Sequence, residues 1–257
     1  MSATTRRAWI IGGSILTVFV LCGATLNAVS LVAREDETLT SDFDAAGLVA
    51  LDLRVETGSI EVVGTDTDVI RLEVDLTHGL RPTGHRAEVE GDTLVVRSSC
   101  PWVGQWCDAD YRLEVPAALA VRADLDHGHL TIRDVDGTVE ADGDDGTLEL
   151  ARLSGDVVAD TENGSVVATG LRSEAVDADS DNGSVRLTFA EPPRLVEATT
   201  DNGGVEVVVP DDDTTYLVDI DTDHGSTDIG VRTDPDSDRQ IFGRSHNGSV
   251  TVRYPTG

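Results

Sequence analysis

Pairs of carboxylates recur along this chain at a fixed distance from a glycine. Two and four residues before successive glycines stand Asp124 and Asp126, Asp142 and Asp144, Asp160 and Glu162, Asp179 and Asp181, then Asp201 alone, then Asp221 and Asp223. Alternate residues of an extended strand share a face, so stacked strands would turn these pairs into two acidic columns. Unit charges about 5 Å apart repel by about 3 kcal/mol at an effective dielectric of 20, and by less than about 1 kcal/mol in water. Screening over about 8 Å leaves much of that in place. Bound cations, raised carboxylate pKa values or splayed, hydrated side chains must offset it. The functional expectation is a ladder of divalent cations such as Ca²⁺ bridging neighbouring rungs, because this hard ion takes several carboxylate and carbonyl oxygens. The plainer alternative is a solvated acidic face adapted to salt, or the imprint of a GC-rich genome.

Other chemistry is weakly signalled. DADSDNG and DIDTDHG resemble a calcium hand loop, but the glycine falls one position late and the closing Glu is missing. The nonapeptide calcium roll is absent. Paired carboxylates also serve glycosidic cleavage, yet they are too abundant here to single out a catalytic pair. No Gly-x-Ser-x-Gly elbow, zincin histidine pair or phosphate loop occurs. His127, His129, His224 and His246 fall at or beside turns and read as surface residues. No catalytic residue and no organic cofactor are expected.

The elements that must position the carboxylates are legible from the glycines. Gly58, Gly128, Gly146, Gly164, Gly183, Gly203, Gly225 and Gly248 close one kind of turn, and from Gly128 onward the steps are 18, 18, 19, 20, 22 and 23 residues. Seven residues before the last seven glycines come Val121, Val139, Val157, Val176, Val196, Val218 and Ile241; five before, a mostly alanine column runs from Ala123 to Ala198. Two and four residues after, Leu130 and Ile132, Leu148 and Leu150, Val166 and Ala168, Val185 and Leu187, Val205 and Val207 and Val250 and Val252 continue the pattern. Each unit therefore reads as strand, tight turn, strand and looser return, and it cannot bury its inner face without a neighbour about 4.8 Å away. The expected fold is all-β: a β-solenoid of about eight stacked coils of 18–23 residues, preferred over a stack of antiparallel hairpins. The small alanine column predicts a flattened section. Asn or Asp before the glycine, as in DNGSV and TENGSV, predicts backbone at positive φ. LDLRVETGSIEVV fits the same frame, whereas residues 64–116 lose the period and read as less regular strands.

The N-terminus has another character. Ala8 to Ala33 is an uncharged run of 26 residues preceded by Arg6 and Arg7. A helix of that length spans about 39 Å, more than a hydrocarbon core of about 30 Å. The arginines before it and Glu35, Asp36 and Glu37 after it orient residues 1–7 to the cytoplasm and the rest outside. A cleaved signal peptide ending near Ala28, Val29 and Ser30 competes, but the run is longer than a signal core. Cys22 reads as a membrane-buried thiol. The expected organisation is a cytoplasmic tail over 1–7, a transmembrane helix over 8–33, a polar linker over 34–45 and an extracytoplasmic domain over 46–257. In an oxidising compartment Cys100 and Cys107 pair as a disulfide around PWVGQW, stabilising by about 2 to 3 kcal/mol. Trp102 and Trp106 either cap that loop or form a recognition tip.

The chain carries 48 acidic residues against 19 arginines and no lysine, for a net charge of −29. Such a field repels nucleic acid and anionic lipid and attracts cations. In ETGSIEVVG, RLEVPAALAVRADLDHGHLTI and the later DNGSV-type turns, residues 46–257 resemble the putative-adhesin domain family of bacterial envelope proteins. The resemblance implies a β-solenoid at the cell surface, often behind one membrane span, and brings no catalytic residues. The expectation is a membrane-anchored, extracytoplasmic, non-enzymatic binding or structural module of the cell envelope, with an envelope protein or polysaccharide as ligand. Exposed Thr and Ser near the turns and the tryptophan loop are candidate contact surfaces. An envelope sensor or scaffold, or a polysaccharide-acting enzyme on the same frame, are the alternatives.

Overall fold

The computed structural model describes residues 35–78, 83–99 and 107–255. The expected tail, the apolar run 8–33, Cys100, Trp102 and Trp106 lie outside them. Among the described residues no helix is long and apolar enough to cross a membrane.

The described chain is all β, seventeen strands and no helix. Its centre is a stack of rungs, each a strand that bends once at the turn glycine. β2 (Ala50–Thr65), β7 (Ala120–Arg133), β8 (Val139–Ala151) and β9 (Val157–Leu171) run through that bend unbroken. Later rungs split there into β10 (Ala175–Ser180) and β11 (Val185–Phe189), then β12 (Leu195–Asn202) and β13 (Val205–Val208). Neighbouring rungs pair parallel and in register: Val121 on Val139, Val139 on Val157 and Val157 on Val176, with Gly128 on Gly146 on Gly164. The valine, alanine and leucine columns are buried, with Val139, Val157 and Val176 each 2% exposed. This is the packing that period-two apolar spacing demands, because no single rung covers its own inner face.

Three features depart from expectation. First, the stack does not follow chain order. β14 (Leu217–His224) and β15 (Thr227–Gly230) do not lie on the Gly203 rung; the last pair, β16 (Gln240–Asn247) and β17 (Val250–Arg253), inserts between them. Val196 registers on Ile241 and Val205 on Val250, while Val218 registers on the far side of Ile241. The physical reason lies in the inward residues. The Gly248 rung offers Ile241, Val250 and Val252, all fully buried, whereas the Gly225 rung has Thr227 at an inward position, so it costs least at the end of the stack.

Second, the stretch read as a linker over 34–45 is strand β1 (Glu35–Asp44), antiparallel on β3 (Val69–His78). Third, residues 64–116 are not irregular. β5 (Thr93–Ser99) lies parallel on the first half of β2 and β6 (Cys107–Pro116) on its second half, so the two together form one more rung. β3 on β6 and β4 (Gly84–Glu90) on β5, both antiparallel, overlay that end.

Glycine at the bend is required by proximity more than by backbone angle. A Cβ on Gly128, Gly146, Gly164 or Gly183 would overlap the carbonyl oxygen of the corresponding glycine one rung away. Gly164, Gly183, Gly203 and Gly225 have φ outside the left-handed range, and the only non-glycine residues at positive φ among the described residues are Asp134 and Arg152. The expected positive φ is thus found at Gly58, Gly128, Gly146 and Gly248, at 138°, 139°, 157° and 159°, and not at the other four turns, and none of the Asn and Asp residues before the glycines takes it. Their amides form a ladder instead: Asn182 Nδ2 donates to Asn163 Oδ1 at 3.1 Å, and Asn202 to Asn182 and Asn247 to Asn202 at 3.0 Å. Side-chain amides repeat at the rung spacing, which suits such a chain of bonds.

Candidate functional site

The carboxylates singled out in the sequence do form columns on the outward face of the first half of each rung. Four residues before the bend the spatial order is Arg54, Asp124, Asp142, Asp160, Asp179, Thr199, Arg244, Asp221. Asp126, Asp144, Glu162, Asp181 and Asp201, two residues before the bend, run beside them, with His246 and Asp223 last. Among the described residues, however, no group of three or more His, Cys, Asp or Glu converges to hold a metal ion. The columns line the acids up without folding them around a centre.

The face handles its charge in two ways. Along the uninterrupted part, partial burial pushes Asp126, Asp142 and Asp160 above the ordinary carboxylate range, and like-charged neighbours, Asp144 on Asp126, Asp124 on Asp142 and Asp179 on Asp160, add to the shift. Asp177, one strand position out, rises for the same reason beside Glu197. Towards the far end the columns are broken by partners. Thr199 donates to Asp179 at 2.6 Å, Arg244 reaches Asp219 at 3.2 Å and Asp221 at 3.7 Å, and His246 Nδ1 lies 2.7 Å from Asp223. The out-of-order insertion of β16 is what interleaves Arg244 and His246 with the acids.

There the face sinks into a shallow hollow of about 300 Å³ lined by Asp179, Asp181, Thr199, Asp201, Arg244, His246, Asp221 and Asp223. Carboxylate and hydroxyl acceptors surround one guanidinium donor, an arrangement that meets hydroxyl-rich or cationic groups by hydrogen bonding. The Asp223–His246 pair has the look of an acid–base dyad, but the neighbouring Ser245 hydroxyl faces the interior and donates to the Gly203 carbonyl at 2.9 Å. That serine is not a nucleophile for His246.

Behind the acids lies a column that sequence reasoning missed. Three residues before the bend, Val55 and Leu125 give way through Gly143 to Thr161, Ser180, Thr200, Ser245 and Thr222. Ser180, Thr200 and Thr222 donate to the turn-glycine carbonyls of Gly164, Gly183 and Gly248 at 2.9, 2.8 and 2.8 Å, as Ser245 does to Gly203. Thr161, 1% exposed, has a hydroxyl with no partner. The signal was present as Ser or Thr between the paired acids. His127, expected as a turn residue, sits 3.3 Å from Asp145 on the next rung, and His224 meets His246 edge to face at 5.7 Å. Cys107 opens β6 with its sulfur 3.3 Å from the Thr83 hydroxyl, and its expected partner Cys100 lies outside the described residues. Nearby, His85 Nδ1 and the Tyr111 hydroxyl are 3.0 Å apart, and burial lifts that phenol to about 12.

No family model matches the sequence, and no curated protein matches it. Solved structures do. A structure described as a putative adhesin from Bacteroides fragilis is similar at 13% identity and a TM-score of 0.42, covering 85% of this chain and 97% of that one. A putative cell adhesion protein from Clostridium sporogenes is similar at 9% identity and a TM-score of 0.36, covering 86% of this chain and all of that one. A putative lipid binding protein from Parabacteroides distasonis is similar at 14% identity and a TM-score of 0.25, covering 86% and 97%. At such scores neither fold nor function passes from them to this chain.

Proposed function

We propose that this chain is a non-enzymatic, adhesin-like binding or structural module of the cell envelope, a β-solenoid held outside the membrane by residues 8–33. The observation that carries the reading is the outward face of the parallel rungs, where the same acid and hydroxyl positions repeat from Asp124 to Asp221 without closing around a single centre. Such a surface offers many equivalent weak contacts to a repeating ligand, and contacts made together gain avidity that none has alone. Envelope polysaccharide is the ligand class that matches the repeat, with sugar hydroxyls donating to the acid columns and the hollow around Thr199 and Arg244 as the preferred subsite.

Calcium enters this reading as an ion gathered by the acidic columns. The pairing of Cys100 with Cys107 would brace the rung formed by β5 and β6. Binding of the full chain, in detergent, to purified envelope polysaccharide is the test. The Arg244→Ala and Thr199→Ala variants should weaken retention severalfold, and equal retention by all three proteins removes the proposed subsite. Release of new reducing ends by the wild-type chain would replace the whole reading with an enzymatic one.

A further inference from the structure

We propose that the open end of the rung stack, formed by β14 and β15, is a docking edge for a basic β-strand of another polypeptide. Each inner rung is paired on both sides. Among the described residues β14 is registered on β16 alone and β15 on β17 alone, so no strand pairs with their outer side; the chain's own return crosses only just before β14, where Tyr216 is bridged to Thr233. The opposite end of the stack is overlaid by antiparallel strands. Parallel edges of this kind accept an added strand, whose main chain supplies affinity and whose alternate side chains supply specificity.

The side chains state what the strand must carry. Inward, Ile229 is 45% exposed where Val252 of the adjoining rung is fully buried, and Val218 and Ile220 are only partly covered. An apolar residue laid on each would finish the core. Outward, Asp219, Asp221, Asp223 and Asp228 are all exposed. On the covered side of the same rung β16 meets this set with Arg244, 3.2 and 3.7 Å from Asp219 and Asp221, and with His246, 2.7 Å from Asp223. β16 therefore shows what the edge takes: alternating basic residues outward, apolar residues inward, and a small residue opposite Ile220, where a Cβ on Gly243 would stand 3.0 Å from Ile220 Cγ2. A second copy of this chain does not meet that description. Its own open edge would set aspartate against aspartate, and its β1 reads EDETLTSDFD. Asp221 and Asp223 also line the hollow offered to polysaccharide, whereas Asp219, Asp228 and Ile229 do not, so failure at Ile229 and failure of polysaccharide binding are distinguishable.

The probe is a synthetic peptide with the sequence of residues 240–253, QIFGRSHNGSVTVR, added to the full chain and followed by amide hydrogen exchange and fluorescence anisotropy. The expected result is saturable binding that slows exchange over 217–230 while exchange over 240–253 stays slow. A peptide with Glu at the places of Arg244 and His246 should bind about tenfold more weakly. Because Asp221→Lys and Asp223→Lys also disturb β16, Ile229→Arg serves as the second variant: its site is already exposed, the melting temperature should hold, and peptide binding should fall. The proposal is overturned if 217–230 gains no protection, if the reversed-charge peptide binds equally, or if 240–253 loses protection because the peptide has displaced β16. Dimerisation of the chain alone with 217–230 protected would also overturn it.

Discussion

At the bend, the position of one carbonyl decides what residue is tolerated. Gly164→Ala would drive a methyl into the Gly146 carbonyl, a backbone group that cannot swing aside as a flexible side chain could, with the Thr161 hydroxyl 3.1 Å away beside it. It should cost about 3 kcal/mol or abolish folding, whereas Gly91→Ala, at φ 70° with nothing within 4 Å, should cost about 1 kcal/mol in denaturant unfolding. The hydroxyl column allows a paired comparison. Thr200→Val removes a donor to the Gly183 carbonyl and should destabilise by about 1 kcal/mol; Thr161→Val removes a buried hydroxyl that has no partner and should be neutral or stabilising. If both substitutions cost the same, the column is held by shape and not by its hydrogen bonds. Asn182 both donates to and accepts from neighbouring amides, so Asn182→Ala should cost more than loss of a single neutral hydrogen bond, about 1 to 2 kcal/mol.

Among the elements, β16 and β17 have the largest reach. They pair with the Gly203 rung on one side and the Gly225 rung on the other, and they bring the arginine and histidine that break the acidic columns. A chain ending at residue 239 should therefore lose amide protection over 195–230, not merely over the deleted segment, while β7 to β9 keep theirs. Protection retained over 217–230 in that truncation would mean that β14 and β15 can re-seat directly on β12 and β13. The other end of the stack is closed differently: β1 and β3 add antiparallel strands beside β6, and Asp75 at that seam takes a hydroxyl from Thr38 at 2.6 Å and a guanidinium from Arg112 at 2.9 Å.

The whole molecule carries −29, and its response to pH follows from which carboxylates are held high and which low. Asp126, Asp142, Asp160 and Asp177 have folded-state pKa values above the ordinary range, so the folded chain binds protons more readily than the unfolded one. Stability should rise as pH falls from neutral through those raised values, and the gain is complete once the ordinary carboxylate range is reached. Asp75, held low by Thr38 and Arg112, Asp134 by Arg152, Glu206 by Arg186 and Arg253, and Asp212 by Thr214 work the other way. Their contribution is present above the ordinary range and is lost as pH falls through their depressed values. Calorimetry should thus find the highest melting temperature in mild acid, lower at neutral pH and lower again in strong acid. Sodium chloride should raise the neutral-pH melting temperature by screening the columns. Millimolar calcium at matched ionic strength should raise it further if ions bridge rungs; an unchanged value leaves the columns as a diffuse cation layer.

From the residue order alone came the all-β class, the rung period, the inward columns through Val139, Val157 and Val176, and the outward ranks from Asp124 to Asp223. All of these rest on alternation along a strand, a local property that neighbouring rungs only repeat. The insertion of β16 between β12 and β14, the strand hidden in 34–45 and the rung made from β5 and β6 were decided by the tertiary structure. They depend on which distant surface buries Ile241, Val250 and Val252 best, and on which charges then lie side by side. The hollow around Thr199 and Arg244 and the open edge at Ile229 follow from that choice, because a pairing between segments far apart in sequence leaves no period in the chain to read.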